Sequence, residues 1–89
     1  MEDFKVNVKD EAEGRKLQEI VFASGRQWAA GETHVQYPFS RGFKLYGGRL
    51  LINGGTEYAN PTMSYEDFVG KYGHVLIPCN TGEEEEYDG

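Results

Sequence analysis

The stretch that most constrains the fold is residues 10–25, DEAEGRKLQEIVFASG, with RQW directly after it. Leu17, Ile20 and Val21 fall at i, i+3 and i+4, so they share one stripe of a 3.6-residue helix. Asp10 has the short acceptor side chain of an N-cap, and Glu13, three residues later, fits a capping box. Glu11 and Glu13 put negative charge in the first turn, where the helix dipole favours it. Gly25 suits the left-handed position just past the C-terminus. Gly14 costs roughly 1 kcal/mol of helix propensity relative to Ala, a cost that close approach to a sheet would explain. Phe22 lies off the stripe, and packing at the helix end and exposure both stay open for it.

The sheet comes from the flanking segments. Phe4, Val6 and Val8 alternate with Lys5, Asn7 and Lys9, the pattern of a half-buried strand. Residues 26–30 predict a second strand with Trp28 as its buried member, closed by a turn at residues 30–32. Val35, Tyr37 and Phe39 alternate loosely around Pro38, which reads as an edge strand or an extended loop. FKLY and RLLI flank Gly47-Gly48, a hairpin with a primed two-residue turn. That register sets Tyr46 opposite Arg49, Leu45 opposite Leu50, Lys44 opposite Leu51 and Phe43 opposite Ile52. One face then holds Phe43, Leu45, Leu50 and Ile52; the other holds Lys44, Tyr46, Arg49 and Leu51. Residues 54–62 are a Gly-, Asn- and Pro-bearing loop. Ser64 caps a second, short helix with Asp67 at its third position and Phe68 and Tyr72 spaced i, i+4; Gly73 can end it. Residues 74–77 predict a short apolar strand stopped by Pro78. The economical packing is an α+β domain of two layers over residues 1–79: a mostly antiparallel sheet with the longer helix across its apolar face. The second face of the sheet is expected to be open and to carry Lys5, Lys9, Lys44, Tyr46 and Arg49.

Charge and composition narrow the function classes. The net charge is −6, but residues 83–88, EEEEYD, carry five of the 15 acids, and without them 10 acids stand against 9 bases. Residues 80–89 read as an acidic, disordered tail on a nearly neutral body. Between residues 26 and 53 the balance is positive, with Arg26, Arg41, Lys44 and Arg49 against Glu32. Overall acidity argues against a generic nucleic-acid binder and leaves room for a local anion site. No apolar run of about 18 residues predicts a membrane span, and the charged start lacks a signal peptide's apolar centre. A single cysteine, Cys79, allows no internal disulfide and fits the cytoplasm.

The carrying residues of a family resemblance are Phe4 to Val8, Leu17 to Phe22, Ser24-Gly25 with Trp28, Leu50 to Asn53, and Ser64 to Phe68. In these the chain resembles a diffuse group of small bacteriophage-encoded accessory proteins, over roughly residues 4–72. The resemblance implies a cytosolic, non-enzymatic protein aimed at host proteins or host defence. The shared positions are core and capping residues, so no binding residue is carried over.

Among chemistry-bearing residues, His34, His74 and Cys79 have no metal-ligand spacing, and surface or structural roles are expected for them, with no metal and no cofactor. Gly47-Gly48 and Gly54-Gly55-Thr56 lack the Walker spacing and read as turn glycines. Lys44, Tyr46, Arg49 and Arg41 form the candidate binding group: a tyrosine among cations can stack on a base while the cations meet phosphates. The plainer reading is a solvated face with a cross-strand Tyr–Arg pair. Glu83, Glu84, Glu85 and Glu86 could imitate nucleic-acid charge on a partner or serve only as a solubilising tail. Tyrosines on an exposed face would be interface anchors. The first expectation is a phage-type protein that binds a host factor, a defence enzyme or nuclease, and inhibits it by occlusion. The second is a sequestering protein for a nucleotide-like anion, held between protomers of a homodimer; an enzyme ranks third.

Overall fold

In the computed structural model, which describes residues 1–76, helix α1 (Glu11–Ala23) begins where its capping chemistry places it. Asp10 is extended, and its Oδ1 accepts the Glu13 N–H at 2.9 Å. Glu13 reaches back, and its Oε1 accepts the Lys9 N–H at 3.0 Å. The far end closes by the Schellman pattern: the Gly25 N–H donates to Phe22 O, the Arg26 N–H donates to Val21 O, and Gly25 takes φ +89°. Arg26 then ties this end to the hairpin turn, its Nε donating to Gly48 O at 2.8 Å and its Nη1 to Ser24 O at 2.7 Å.

Among the described residues four strands, β1 (Phe4–Asn7), β2 (Gln27–Trp28), β3 (Gly42–Tyr46) and β4 (Leu50–Asn53), form one sheet in the order β1-β3-β4-β2. The β1–β3 and β3–β4 pairs are antiparallel, and β2 runs parallel to β4. The class is α+β, and α1 carries the chain from one edge of the sheet to the other. Helix α2 (Tyr65–Tyr72) is capped by Ser64, whose Oγ accepts the Asp67 N–H at 3.1 Å. The core joins Phe4, Val6, Val8, Trp28, Phe43, Leu45 and Leu51 of the sheet side to Leu17, Ile20 and Val21 of α1 and Phe68 of α2. A Cβ on Gly14 would stand 3.3 Å from Phe43 Cε2, so the glycine lets the helix settle on the sheet. Phe22 packs at the helix end, half-buried and edge-on to Trp28 with ring centroids 6.2 Å apart.

Four expectations change. The hairpin pairs Tyr46 with Leu50, Leu45 with Leu51, Lys44 with Ile52 and Phe43 with Asn53, one residue away from the symmetric register. Gly47 and Gly48 do take positive φ, and the Arg49 N–H closes the turn on Tyr46 O, but Arg49 is then an extra, unpaired residue. A one-residue slip reverses every side chain of a strand: Leu51 enters the core, while Leu50 and Ile52 join Lys44 and Tyr46 on the second face. β2 is shorter than its five predicted residues, because the chain turns at once: the Gly31 N–H donates to Trp28 O and the Trp28 N–H to Glu32 O. Of the two alternatives for residues 33–39, the extended loop is the one that forms. His74 to Leu76, predicted as strand, lie in a 3₁₀ turn (Gly73–Leu76) that continues α2, and Gly73 stays right-handed with φ −65°.

The fourth change concerns the second sheet face, which is only partly open. Residues 54–62 fold along the β1 edge. The Lys5 N–H donates to Thr62 Oγ1 at 2.9 Å, and the Thr62 N–H donates to Lys5 O at 2.8 Å. Asn7 holds the Tyr58 peptide from both sides, Nδ2 to Tyr58 O at 2.9 Å and Tyr58 N–H to Oδ1 at 2.8 Å. The Tyr58 ring lies on Gly42 and Gly54; a Cβ on Gly54 would collide with the ring, and one on Gly42 with the Thr56 carbonyl. Among the described residues no helix is long and apolar enough to cross a membrane.

Candidate functional site

The structure divides the four cationic and aromatic candidates. Lys44 and Tyr46 share the open part of the second face, with the Lys44 ammonium 5.7 Å from the centre of the Tyr46 ring. Tyr46 is 59% exposed. Arg49, in the turn, borders a shallow cavity of about 330 Å³ with Tyr46 and Leu50. Arg41 is not part of this group. Its Nη1 folds back onto the carbonyls of Pro38 (3.2 Å) and Ser40 (2.9 Å), and it braces a loop. Glu83, Glu84, Glu85 and Glu86, together with Cys79, lie outside the described residues. His34 and His74 are exposed, and among the described residues no three of His, Cys, Asp or Glu gather as a metal-binding group.

The loop that Arg41 braces is the more unusual surface. Phe39 is 85% exposed and Tyr37 45% exposed, on either side of Pro38. Tyr37 has φ +59°, a left-handed conformation that costs a side-chain-bearing residue roughly 1–2 kcal/mol. Several contacts hold it there. The Tyr37 ring meets Trp28 edge to face at 5.0 Å, and the Ser40 N–H donates to Tyr37 O at 3.1 Å. Trp28 Nε1 donates to His34 O at 2.9 Å. Gln18, 1% exposed within the apolar stripe of α1, clamps the Gln36 peptide: its Nε2 donates to Gln36 O and its Oε1 accepts the Gln36 N–H, each at 2.7 Å. Ser40 is buried, and its hydroxyl donates to Gly42 O at 3.0 Å. The chain therefore fixes this loop at both ends and lifts a phenyl ring into water at its tip. Beside the ring is a hollow of about 410 Å³ bordered by Tyr37, Pro38, Asn53 and Gly55.

Across the second face a different arrangement appears. Lys5 and Lys44 are directly opposed in the β1–β3 register. Their ammonium groups rest over different rings, Lys5 5.8 Å from the centre of the Tyr58 ring and Lys44 over Tyr46. Among the described residues neither has a carboxylate within salt-bridge distance; the ion pairs join Lys9 to Glu13, Arg15 to Glu11 and Lys71 to Glu2. Asp3 is close by, but its carboxylate accepts the N–H groups of Gly47 (3.1 Å) and Gly48. Burial against the glycines pushes the Tyr58 phenol above its ordinary pKa of 10.0.

Sequence reasoning left Phe39, Tyr37, Gln18 and Lys5 out of the candidate group. The sequence carries signals for three of them: Pro38 interrupts the aromatic alternation of Tyr37 and Phe39, and Gln18 falls within the 14-17-18-21 stripe of the helix. Compared with known proteins, the chain matches no family model, no curated protein and no solved structure.

Proposed function

We propose that this is a non-enzymatic binding protein that acts by occlusion, seating Phe39 and Tyr37 in an apolar recess of a protein partner. The observation that carries the reading is the 85% exposure of Phe39 on a loop that the side chains of Gln18, Trp28 and Ser40 hold in place. A phenyl ring in water gains nothing for folding, whereas a rigid exposed ring loses little entropy on docking and gives a large apolar contact. Aromatic anchors of this kind dominate the energy of protein interfaces. The resemblance to small bacteriophage accessory proteins makes a host defence enzyme or nuclease the first partner class to test, with inhibition following from covering its working surface.

The experiment is capture from bacterial lysate with the full chain, with Phe39→Ala, and with a chain ending at Asn80. The reading expects a stoichiometric host protein that Phe39→Ala loses and the shortened chain keeps. Removing a central anchor should weaken the isolated complex by about 30-fold or more, the equivalent of roughly 2 kcal/mol. Capture that survives Phe39→Ala but needs the residues after Asn80 would refute the loop and move the contact to the acidic tail.

A further inference from the structure

We infer that the second sheet face carries a site for a nucleoside monophosphate, with the phosphate between Lys5 and Lys44 and the base on the Tyr46 ring. The starting point is an electrostatic oddity. Two lysines stand directly opposite each other on adjacent strands, an arrangement that like-charge repulsion disfavours. No carboxylate pairs with either ammonium among the described residues. Each ammonium is instead held over a tyrosine ring, a weak contact that an anion easily outcompetes.

The groups around this pair match the rest of the ligand. A cavity of about 300 Å³ lies against Asp3, Lys5, Lys44, Tyr46 and Thr62. That is the lower end of the size range of small-molecule sites, which suits one nucleotide better than two. Tyr46 offers an open ring face for stacking once Lys44 leaves it for the phosphate. Asp3, held by the turn amides, keeps carboxylate lone pairs free to accept from a sugar hydroxyl. Both backbone groups of Lys5 are pinned to Thr62, and its strand pairs with β3 on the other side, so the cation pair is fixed at its base while its ends are free to converge.

The site is independent of the Phe39 reading, and the test separates the two. The full chain is titrated with AMP and, separately, with inorganic phosphate, followed by calorimetry and by amide shifts. AMP should bind saturably, moving resonances of Lys5, Lys44 and Tyr46. Binding should weaken at least tenfold in Lys44→Gln and in Lys5→Gln. Tyr46→Ala should bring AMP down to the affinity of inorganic phosphate. Phe39→Ala should change nothing. Because the lysine pair is repulsive, neither glutamine variant should lower the thermal midpoint, so lost binding cannot be blamed on lost fold. AMP binding that persists unchanged in the Lys5→Gln/Lys44→Gln double variant, or no saturable binding at millimolar AMP, overturns the proposal. Equal affinity for AMP and phosphate in the unaltered chain overturns the nucleoside part.

Discussion

Replacing Gln18 by Met removes both hydrogen bonds to the Gln36 peptide while keeping a straight, helix-compatible side chain of similar length. Each neutral hydrogen bond contributes about 0.5–1.5 kcal/mol net, so losing two costs about 1–3 kcal/mol. Gln36 is only half-buried, so water can reach the freed peptide groups and the full penalty of a buried orphan does not apply. The lower half of the range, about 1–2 kcal/mol, is therefore expected. For a domain of this size each kcal/mol moves the thermal midpoint by about 4–8 °C, which gives a fall of about 4–16 °C. Calorimetry reads the midpoint, and amide exchange reads where the stability went. The Gln36 amide should lose protection well before the amides of β3. A midpoint lowered by less than about 2 °C, with Gln36 exchange unaltered, would refute the claim that this clamp holds the loop. The same substitution should weaken partner capture through Phe39, because a loosened loop must be ordered again on docking.

Phe39→Ala itself should leave folding stability within about 0.5 kcal/mol, because the ring is exposed; denaturant titration checks it. A Cβ on Gly54 would stand 2.6 Å from the Tyr58 hydroxyl, so Gly54→Ala should destabilise by about 1–3 kcal/mol. Most of that cost should vanish in a Tyr58→Ala background, where the obstructing ring is gone, and a double-mutant cycle measures it. Arg26→Ala removes charge-assisted bonds to Gly48 O and Ser24 O and a cation at the C-terminus of α1. A loss of about 1–3 kcal/mol in urea denaturation is expected. Burial raises the phenol pKa of Tyr58 and of Tyr65 above 10.0, with Glu13, Asp10 and Glu66 adding to the rise at Tyr65. A folded-state pKa above the unfolded one gives stability that is whole below about pH 10 and lost as pH rises through the folded value. The urea midpoint should therefore fall on the alkaline side of about pH 10, and less steeply in the Tyr58→Phe/Tyr65→Phe variant.

What the sequence made legible was local chemistry. Asp10, Glu13, Gly25, Ser64 and the Gly47-Gly48 turn act through neighbours a few residues away, and each sits where its chemistry placed it. The hairpin register escaped because Leu50, Leu51 and Ile52 are all apolar, so alternation does not say which of them faces the core. The helix layer and Trp28 decide it, by admitting Leu51. Residues 74–77 are a short apolar run that periodicity cannot divide between strand and helix. For the candidate site, the exposure of Tyr46 was readable from its strand. The pairing of Lys5 with Lys44 was not, because it depends on the register of two strands nearly 40 residues apart. The poise of Phe39 depends on Gln18 and Trp28, which sequence patterning assigns to a helix stripe and a strand.

The position of β1 has a consequence for synthesis. The first strand of the chain finds its hydrogen-bond partners in β3 and, on its outer edge, in Thr62. At ribosomal speeds of about 5–20 residues per second, the 39 residues from Val8 to Tyr46, where β3 ends, take about 2–8 s to make. Through that interval α1 is free to form and fray by itself, while Phe4, Val6 and Val8 travel as an uncovered apolar strand. The lysines and the asparagine that alternate with them, with Glu2, Asp3 and Asp10 at its ends, then protect the nascent segment against joining a neighbouring chain.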